Sequence, residues 1–202
     1  MAVKVKICGL TDPDTALFAA QAGADAVGFI FADGPRRVEV EKARAICTEL
    51  PPFVVRVGVF VNEARDVVRE TAAACGLTAL QFHGDEDAGY CRGFVLPVLK
   101  AVRMRTGTDL GVLARFPAAG FILDSYDPLQ AGGTGRAFSW ELAVDRPPAP
   151  VILAGGLTPE NVARAIRQVQ PYGVDVSSGV ETGGKKDLNK IRRFIEAVRR
   201  CG

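Results

Sequence analysis

A thiol and a carboxyl group stand where proton chemistry is easiest to arrange. Cys8 ends the alternating stretch Val3-Lys4-Val5-Lys6-Ile7, and Gly9 after it permits an abrupt turn. The sulfur is thus expected at a junction between strand and loop. A cysteine by itself is often only a small core hydrophobe, so its position is what singles it out. Asp124 follows the apolar run Phe121-Ile122-Leu123. At the rim of a low-dielectric core the charged form of a carboxyl is disfavoured, which suits a proton donor. The same aspartate would serve equally well as a loop cap bonded to backbone N–H groups. Two glycine-bearing turns complete the set, Gly155-Gly156 and Ser178-Gly179. Each lets backbone amides approach an anion. One Gly-Gly is usually a plain turn; two such turns at neighbouring strand ends point to a phosphate.

The elements that must position these groups alternate along the chain. Apolar, β-branched runs predict strands over 3–8, 25–31, 53–60, 79–83, 95–102, 120–125, 150–154 and 172–177. Pro97 weakens the start of the fifth. Between them the pattern predicts a helix capped by Thr11, with Asp14 three residues on. Others run over 41–50, stopped by Pro51-Pro52, and over 63–75, stopped at Gly76. A short acidic helix is expected from Asp85, and a weaker one over 109–115. A Gly-rich loop at 132–135 precedes a short helix capped by Ser139. Thr158 caps another with Pro159 at its first position, and 187–200 closes the chain. Eight strand–helix units give an α/β protein, a single (β/α)8 TIM barrel formed by residues 1–202.

In such a barrel the strand C-termini face the active site. The polar residues there are Cys8, Arg36 and Arg37, Asn62, Gln81 and His83, Asp124, and Ser177 and Ser178. A loop arginine can clamp an anion through two donors, although either one alone reads as a solvated loop charge. His83 alone reads as a satisfied structural histidine. Asp175, within the eighth strand, either orients polar groups inside the barrel or makes a buried hydrogen bond. The basic pairs Lys185-Lys186, Arg192-Arg193 and Arg199-Arg200 read as solvated faces.

Composition excludes several classes. A net charge of +2 argues against nucleic acid or an anionic membrane as partner. No apolar run approaches the roughly 20 residues that span a bilayer, and the first nine residues read as strand rather than signal peptide. Five cysteines form no CxxC pair, which fits a reduced, cytoplasmic chain. No nucleotide fingerprint and no metal-ligand cluster is present, so neither metal nor cofactor is expected.

These positions also carry a resemblance. Lys6-Ile7-Cys8-Gly9-Leu10-Thr11 at the start and Val174-Asp175-Val176-Ser177-Ser178-Gly179-Val180-Glu181 near the end resemble the phosphoribosylanthranilate isomerase family. So do Leu80-Gln81-Phe82-His83-Gly84, Leu123-Asp124-Ser125 and Leu153-Ala154-Gly155-Gly156-Leu157-Thr158-Pro159-Glu160-Asn161. The resemblance runs almost end to end. It implies a (β/α)8 barrel that performs an Amadori rearrangement of N-(5-phosphoribosyl)anthranilate in tryptophan biosynthesis, without a cofactor. It implies Cys8 as general base and Asp124 as general acid, with the thiol shifted down and the carboxyl up. Arg37 would contact the anthranilate end, and Gln81, His83 and Asp175 other parts of the substrate. Gly155, Gly156, Ser178 and Gly179 would hold the phosphate. The partner is then a small phosphorylated molecule, the chain acting as monomer or homodimer. Metal-dependent epimerases of similar barrels need ligating histidines, and this chain has only His83. An indole-forming synthase needs strand-end lysines, for which Lys100 is the one comparable residue. A phosphate-ligand sensor would keep the turns and lose the acid–base pair.

Overall fold

The strands turn apolar side chains outward to the helices, while several of them carry polar side chains on the inward face. The computed structural model describes residues 2–105, 108–125 and 149–201. Eight parallel strands close into a barrel: β1 (Lys4–Cys8), β2 (Ala26–Ile30), β3 (Val55–Phe60), β4 (Ala79–Phe82), β5 (Val98–Met104), β6 (Gly120–Ser125), β7 (Val151–Leu153) and β8 (Gly173–Val176). The seam is β8 against β1, with Lys6 opposite Asp175 and Ile7 opposite Val176. On the other side of β1, Cys8 lies opposite Gly28.

Side chains alternate across each strand. Val5 and Ile7, Val27 and Phe29, Phe121 and Leu123, and Val174 and Val176 belong to the large core shared with the helices. Those helices are α1 (Pro13–Gln21), α2 (Val40–Glu49), α3 (Arg65–Cys75), α4 (Val162–Val169) and α5 (Leu188–Arg199). They contribute Ala16 and Ala19, Ile46, Val68, Ile166, Ile191 and Phe194. A second, small apolar cluster, Ala101, Ile122 and Ala154 with Leu99 and Ile152, uses the opposite parity on β5, β6 and β7. The same opposite parity gives Lys6 and Cys8 on β1, Gln81 on β4, Asp124 on β6 and Asp175 on β8, all buried.

Several local expectations are corrected. The cap of α1 is Asp12, not Thr11: its side chain accepts from the Thr15 N–H at 2.8 Å. Pro13 takes the first position, where its missing N–H costs nothing. Asn161 rather than Thr158 precedes α4, since 159–161 form a turn closed by Asn161 N–H and Val162 N–H on the Thr158 carbonyl. The fifth strand begins at Val98, three residues later than its apolar run, and Val95 is fully exposed. Over 110–115 the chain makes a 3-10 helix, capped by Asp109. The loop at 132–135 and the cap at Ser139 lie outside the described residues.

No helix forms after β4. Residues 83–97 run as turns because Glu86 points inward instead of toward water. Its carboxylate accepts from Asn62 N–H at 2.7 Å, Gly84 N–H at 2.9 Å and the Lys100 ammonium at 2.9 Å. Lys100 also donates to the Gly84 carbonyl at 2.7 Å. Tyr90 and Phe94 then cover Phe82, with ring centroids 5.0 and 5.1 Å away. Lys100 is thus a strut between β5 and the loops after β3 and β4, not a strand-end catalyst.

Removing one partner of a buried ion pair strands the other charge. Lys100→Met is expected to lower unfolding free energy by about 3–5 kcal/mol. Urea denaturation checks this, and a loss below about 1 kcal/mol, the range of an exposed pair, would contradict the strut.

Candidate active site

The C-terminal ends of the strands enclose one cavity of about 510 Å³, into which strands and loops from around the barrel deliver polar groups. Cys8 comes from β1, Gln81 from β4, His83 from just beyond it, Asp124 from β6 and Asp175 from β8. Arg36 and Arg37 come from the loop after β2. Gly155 and Gly156 come from the turn after β7, and Ser178 and Gly179 from the turn after β8. All of these, picked from the sequence, line this cavity. Asn62 does not line it; its Oδ1 accepts from the Asp85 N–H at 2.7 Å and braces the loops.

Asp124 and His83 are joined, Nε2 to Oδ2, at 3.1 Å. Gln81 Nε2 meets His83 Nδ1 at 2.9 Å. With Gln81 donating, the ring proton sits on Nε2 and faces the aspartate. The histidine thus orients the carboxyl group, a role invisible in a lone His. Gln81 Oε1 and Asp175 Oδ1 are buried atoms without a hydrogen-bond partner. Buried acceptors of this kind are costly when left unmade, and a hydroxyl-bearing ligand in the cavity would satisfy them.

Around Cys8 the charges are dense. Lys6 donates to Asp175 Oδ2 at 2.8 Å, both side chains buried. Burial alone would lower the lysine, but Asp175, and after it Cys8, push it up to about 12. The downward shift expected of the thiol is absent. Burial pushes the Cys8 thiol up, and Lys6 opposes this only in part. Removing an anion from water outweighs the gain from one neighbouring cation here.

The two arginines separate clearly. Arg36, its side chain 23% exposed, grips Glu181 through Nε at 2.7 Å and Nη2 at 2.8 Å. Arg37, at 47%, pairs with Asp33 and Glu39 on the rim. Glu181 belongs to a hairpin of β9 (Glu181–Thr182) and β10 (Lys185–Lys186). Lys186 is buried there, bonded to Glu181 at 2.7 Å and to the Ser177 carbonyl at 3.0 Å, so it is no solvated charge. Burial pushes the Glu181 carboxyl up, but bonds from Arg36 and Lys186 override it and hold it below the usual range. Arg199 is likewise engaged, with the Val3 and Gly23 carbonyls and Asp25. Sequence reasoning missed Lys6, Glu181 and Lys186 as parts of the site.

The two glycine-bearing turns are built by close backbone packing. Gly155 and Gly156 both have positive φ, 75° and 64°, so the chain turns sharply there, and both residues line the cavity. Asn161 fixes the turn, donating to the Gly156 carbonyl at 2.8 Å and accepting from Thr158 N–H at 2.8 Å. Gly179 is the middle residue of a 3-10 turn after β8 (Ser178–Val180), and any side chain there would strike the Leu157 carbonyl. The two turns are therefore one assembly.

The chain as a whole is similar to proteins of known family. Residues 5–197 match the family model described as N-(5'phosphoribosyl)anthranilate (PRA) isomerase. The chain is 54% identical over 198 residues to the N-(5'-phosphoribosyl)anthranilate isomerase of Desulforudis audaxviator, covering 96% of this chain and 97% of that protein. The crystal structure of phosphoribosyl anthranilate isomerase from Thermotoga maritima superposes with a TM-score of 0.88 at 42% identity, covering 98% of this chain and 99% of that one. A phosphoribosyl anthranilate isomerase in complex with reduced 1-(o-carboxyphenylamino)-1-deoxyribulose 5-phosphate superposes at 0.84 with 41% identity, covering 98% and 99%. With the cavity, the joined turns and a match along nearly its whole length, this chain belongs to the N-(5'-phosphoribosyl)anthranilate isomerase family.

Proposed function

We propose that Cys8 and Asp124 are the base and acid with which this chain performs the family's reaction, the aldose–ketose isomerisation of N-(5-phosphoribosyl)anthranilate. The observation that carries the assignment is spatial. A thiol and a carboxyl from β1 and β6 enter one cavity whose wall includes the joined turns after β7 and β8. Those turns suit the phosphate, which fixes the sugar between the two groups.

Asp124, oriented by His83, gives its proton to the ring oxygen as the C1–O bond breaks. The resulting Schiff base withdraws electrons from C2. The Cys8 thiolate takes the C2 proton to give an enolamine, and tautomerisation yields the ketone, 1-(2-carboxyphenylamino)-1-deoxyribulose 5-phosphate. Atoms balance without a redox partner, and the steps need only positioned acid and base groups. Gln81 Oε1 and Asp175 Oδ1 would accept substrate hydroxyls. At the anthranilate end the geometry favours Arg36 over Arg37. Glu181 occupies Nε and Nη2 of Arg36 and preorganises its fork, and the Nη1 donors are left for a carboxylate. In this reading the site's partner is a small phosphorylated molecule in a cytoplasmic biosynthetic step, and residues 1–202 act as one barrel. Among the described residues no helix is long and apolar enough to cross a membrane.

Two outcomes test the assignment. Cys8→Ala and Asp124→Asn should each reduce kcat by about 10²–10⁴, while the reduced product analogue still binds within a few fold, as read by calorimetry. A variant with near-normal turnover would remove that residue from the chemistry. Arg36→Met should raise KM about tenfold or more, and Arg37→Met should leave it nearly unchanged. The reverse pattern in steady-state kinetics would return the role to Arg37.

A further inference from the structure

The mechanism above uses Cys8 as an anion but places it where burial opposes the anion. What compensates is visible on the same face of β1. Lys6 lies two residues before Cys8, so both side chains point into the barrel. The Asp175 carboxylate, directly across the β8–β1 seam, fixes the ammonium at 2.8 Å. Gly28, opposite Cys8 on β2, leaves the room for both groups. A Cβ there would lie 2.8 Å from the sulfur and 3.1 Å from Lys6 Nζ, so the two heads crowd one point.

We propose that Lys6 is a positioning residue for the base: clamped by Asp175, its ammonium is held against Cys8 so that the anion formed there has a cation beside it in the dry floor of the cavity. This inference rests on the reading of Cys8 as base. The charged groups acting on the sulfur are Lys6 from its own strand, Asp175 from β8, Lys186 from the hairpin after β8 and Arg36 from the loop after β2. Lys6 is the foremost of the favourable ones, by charge and by hydrogen bonding, and Asp175 works against the thiolate. Asp175 therefore has a mixed role: it disfavours the thiolate directly and keeps Lys6 charged and in place, being the foremost of the groups, with Cys8, that raise the lysine against its burial. In the turnover step the thiolate takes the C2 proton and becomes a thiol, while Lys6 keeps its own proton throughout.

The test reads the thiol itself. Alkylation of Cys8 by iodoacetamide at pH 8, followed by mass spectrometry, reports the thiolate separately from the other four cysteines. Lys6→Met alone leaves Asp175 stranded, so Lys6→Met/Asp175→Asn is made beside it, with Lys6→Arg as the conservative variant. A rise of one unit in the thiol's pKa cuts the thiolate fraction about tenfold. The more basic sulfur regains part of that through nucleophilicity, so alkylation should slow about threefold in the double variant. With Lys6→Arg it should return to within about twofold of wild type, since the charge is kept. Loosened packing would instead expose the sulfur and speed the reaction, so the sign separates a positioning role from a structural one. In parallel, kcat of the double variant should fall about tenfold, measured against Asp175→Asn alone, because Asp175 also faces the substrate and its loss moves KM by itself. A folded double variant whose Cys8 reacts at the wild-type rate or faster would overturn the proposal. Full activity in Cys8→Ala would overturn the base assignment instead, whatever the alkylation rates show.

Discussion

Inside a closed barrel a charge has no water to turn to, and this constraint shapes the molecule. The Lys6–Asp175 pair sits on the seam where β8 meets β1, both side chains less than a tenth exposed. Such a pair is poor value as stabilisation, because desolvation offsets most of the attraction, and breaking it is expensive. Its worth lies in placement. It fixes a cation beside the thiol and leaves one carboxylate oxygen, Asp175 Oδ1, without a protein partner. A similar trade recurs at Glu86, whose carboxylate is consumed by Lys100 and two backbone amides. It recurs again at Glu181, shared by Arg36 and Lys186.

These pairs divide the labour between frame and site. Lys100–Glu86 ties the loops after β3 and β4 to β5, which holds Gln81 and His83 in place and, through His83, Asp124. Glu181 ties the hairpin after β8 to the loop after β2 and so presents Arg36. The turns after β7 and β8 lock through Asn161 and the tight approach of Gly179 to Leu157. Each catalytic candidate therefore rests on groups that never need touch the substrate. Preorganisation of this kind lets a reaction proceed without rearranging solvent at each step.

Much of this was legible in the chain. β-branched runs separated by capped helices gave the eight strands, and the residues at their ends gave the cavity wall. Cys8 stood out because it ends an alternating strand just before a glycine, and Asp124 because it follows an apolar run near the end of one. Other features were illegible for physical reasons. Glu86 follows Asp85 and precedes Asp87, a pattern that ordinarily means a solvated acidic helix; only the inward turn toward Lys100 cancels it. Lys6 alternates with Val5 and Ile7 as a half-exposed strand would, yet in a closed barrel the polar face is the inner one. Arg36 and Arg37 are chemically identical neighbours, and only the backbone pairing of Arg37 with Ile30 and the reach of Glu181 distinguish them. The thiol's direction of shift was misjudged because cations are visible in a sequence and desolvation is not.

The most direct measurement is a crystal structure of this protein bound to reduced 1-(o-carboxyphenylamino)-1-deoxyribulose 5-phosphate. The account predicts the phosphate on the joined turns of Gly155-Gly156 and Ser178-Gly179. It places C2 against the Cys8 sulfur with Asp124 across from it, and the carboxylate of the aromatic ring on Arg36. A ligand with its phosphate elsewhere, or with C2 turned away from Cys8, would contradict it.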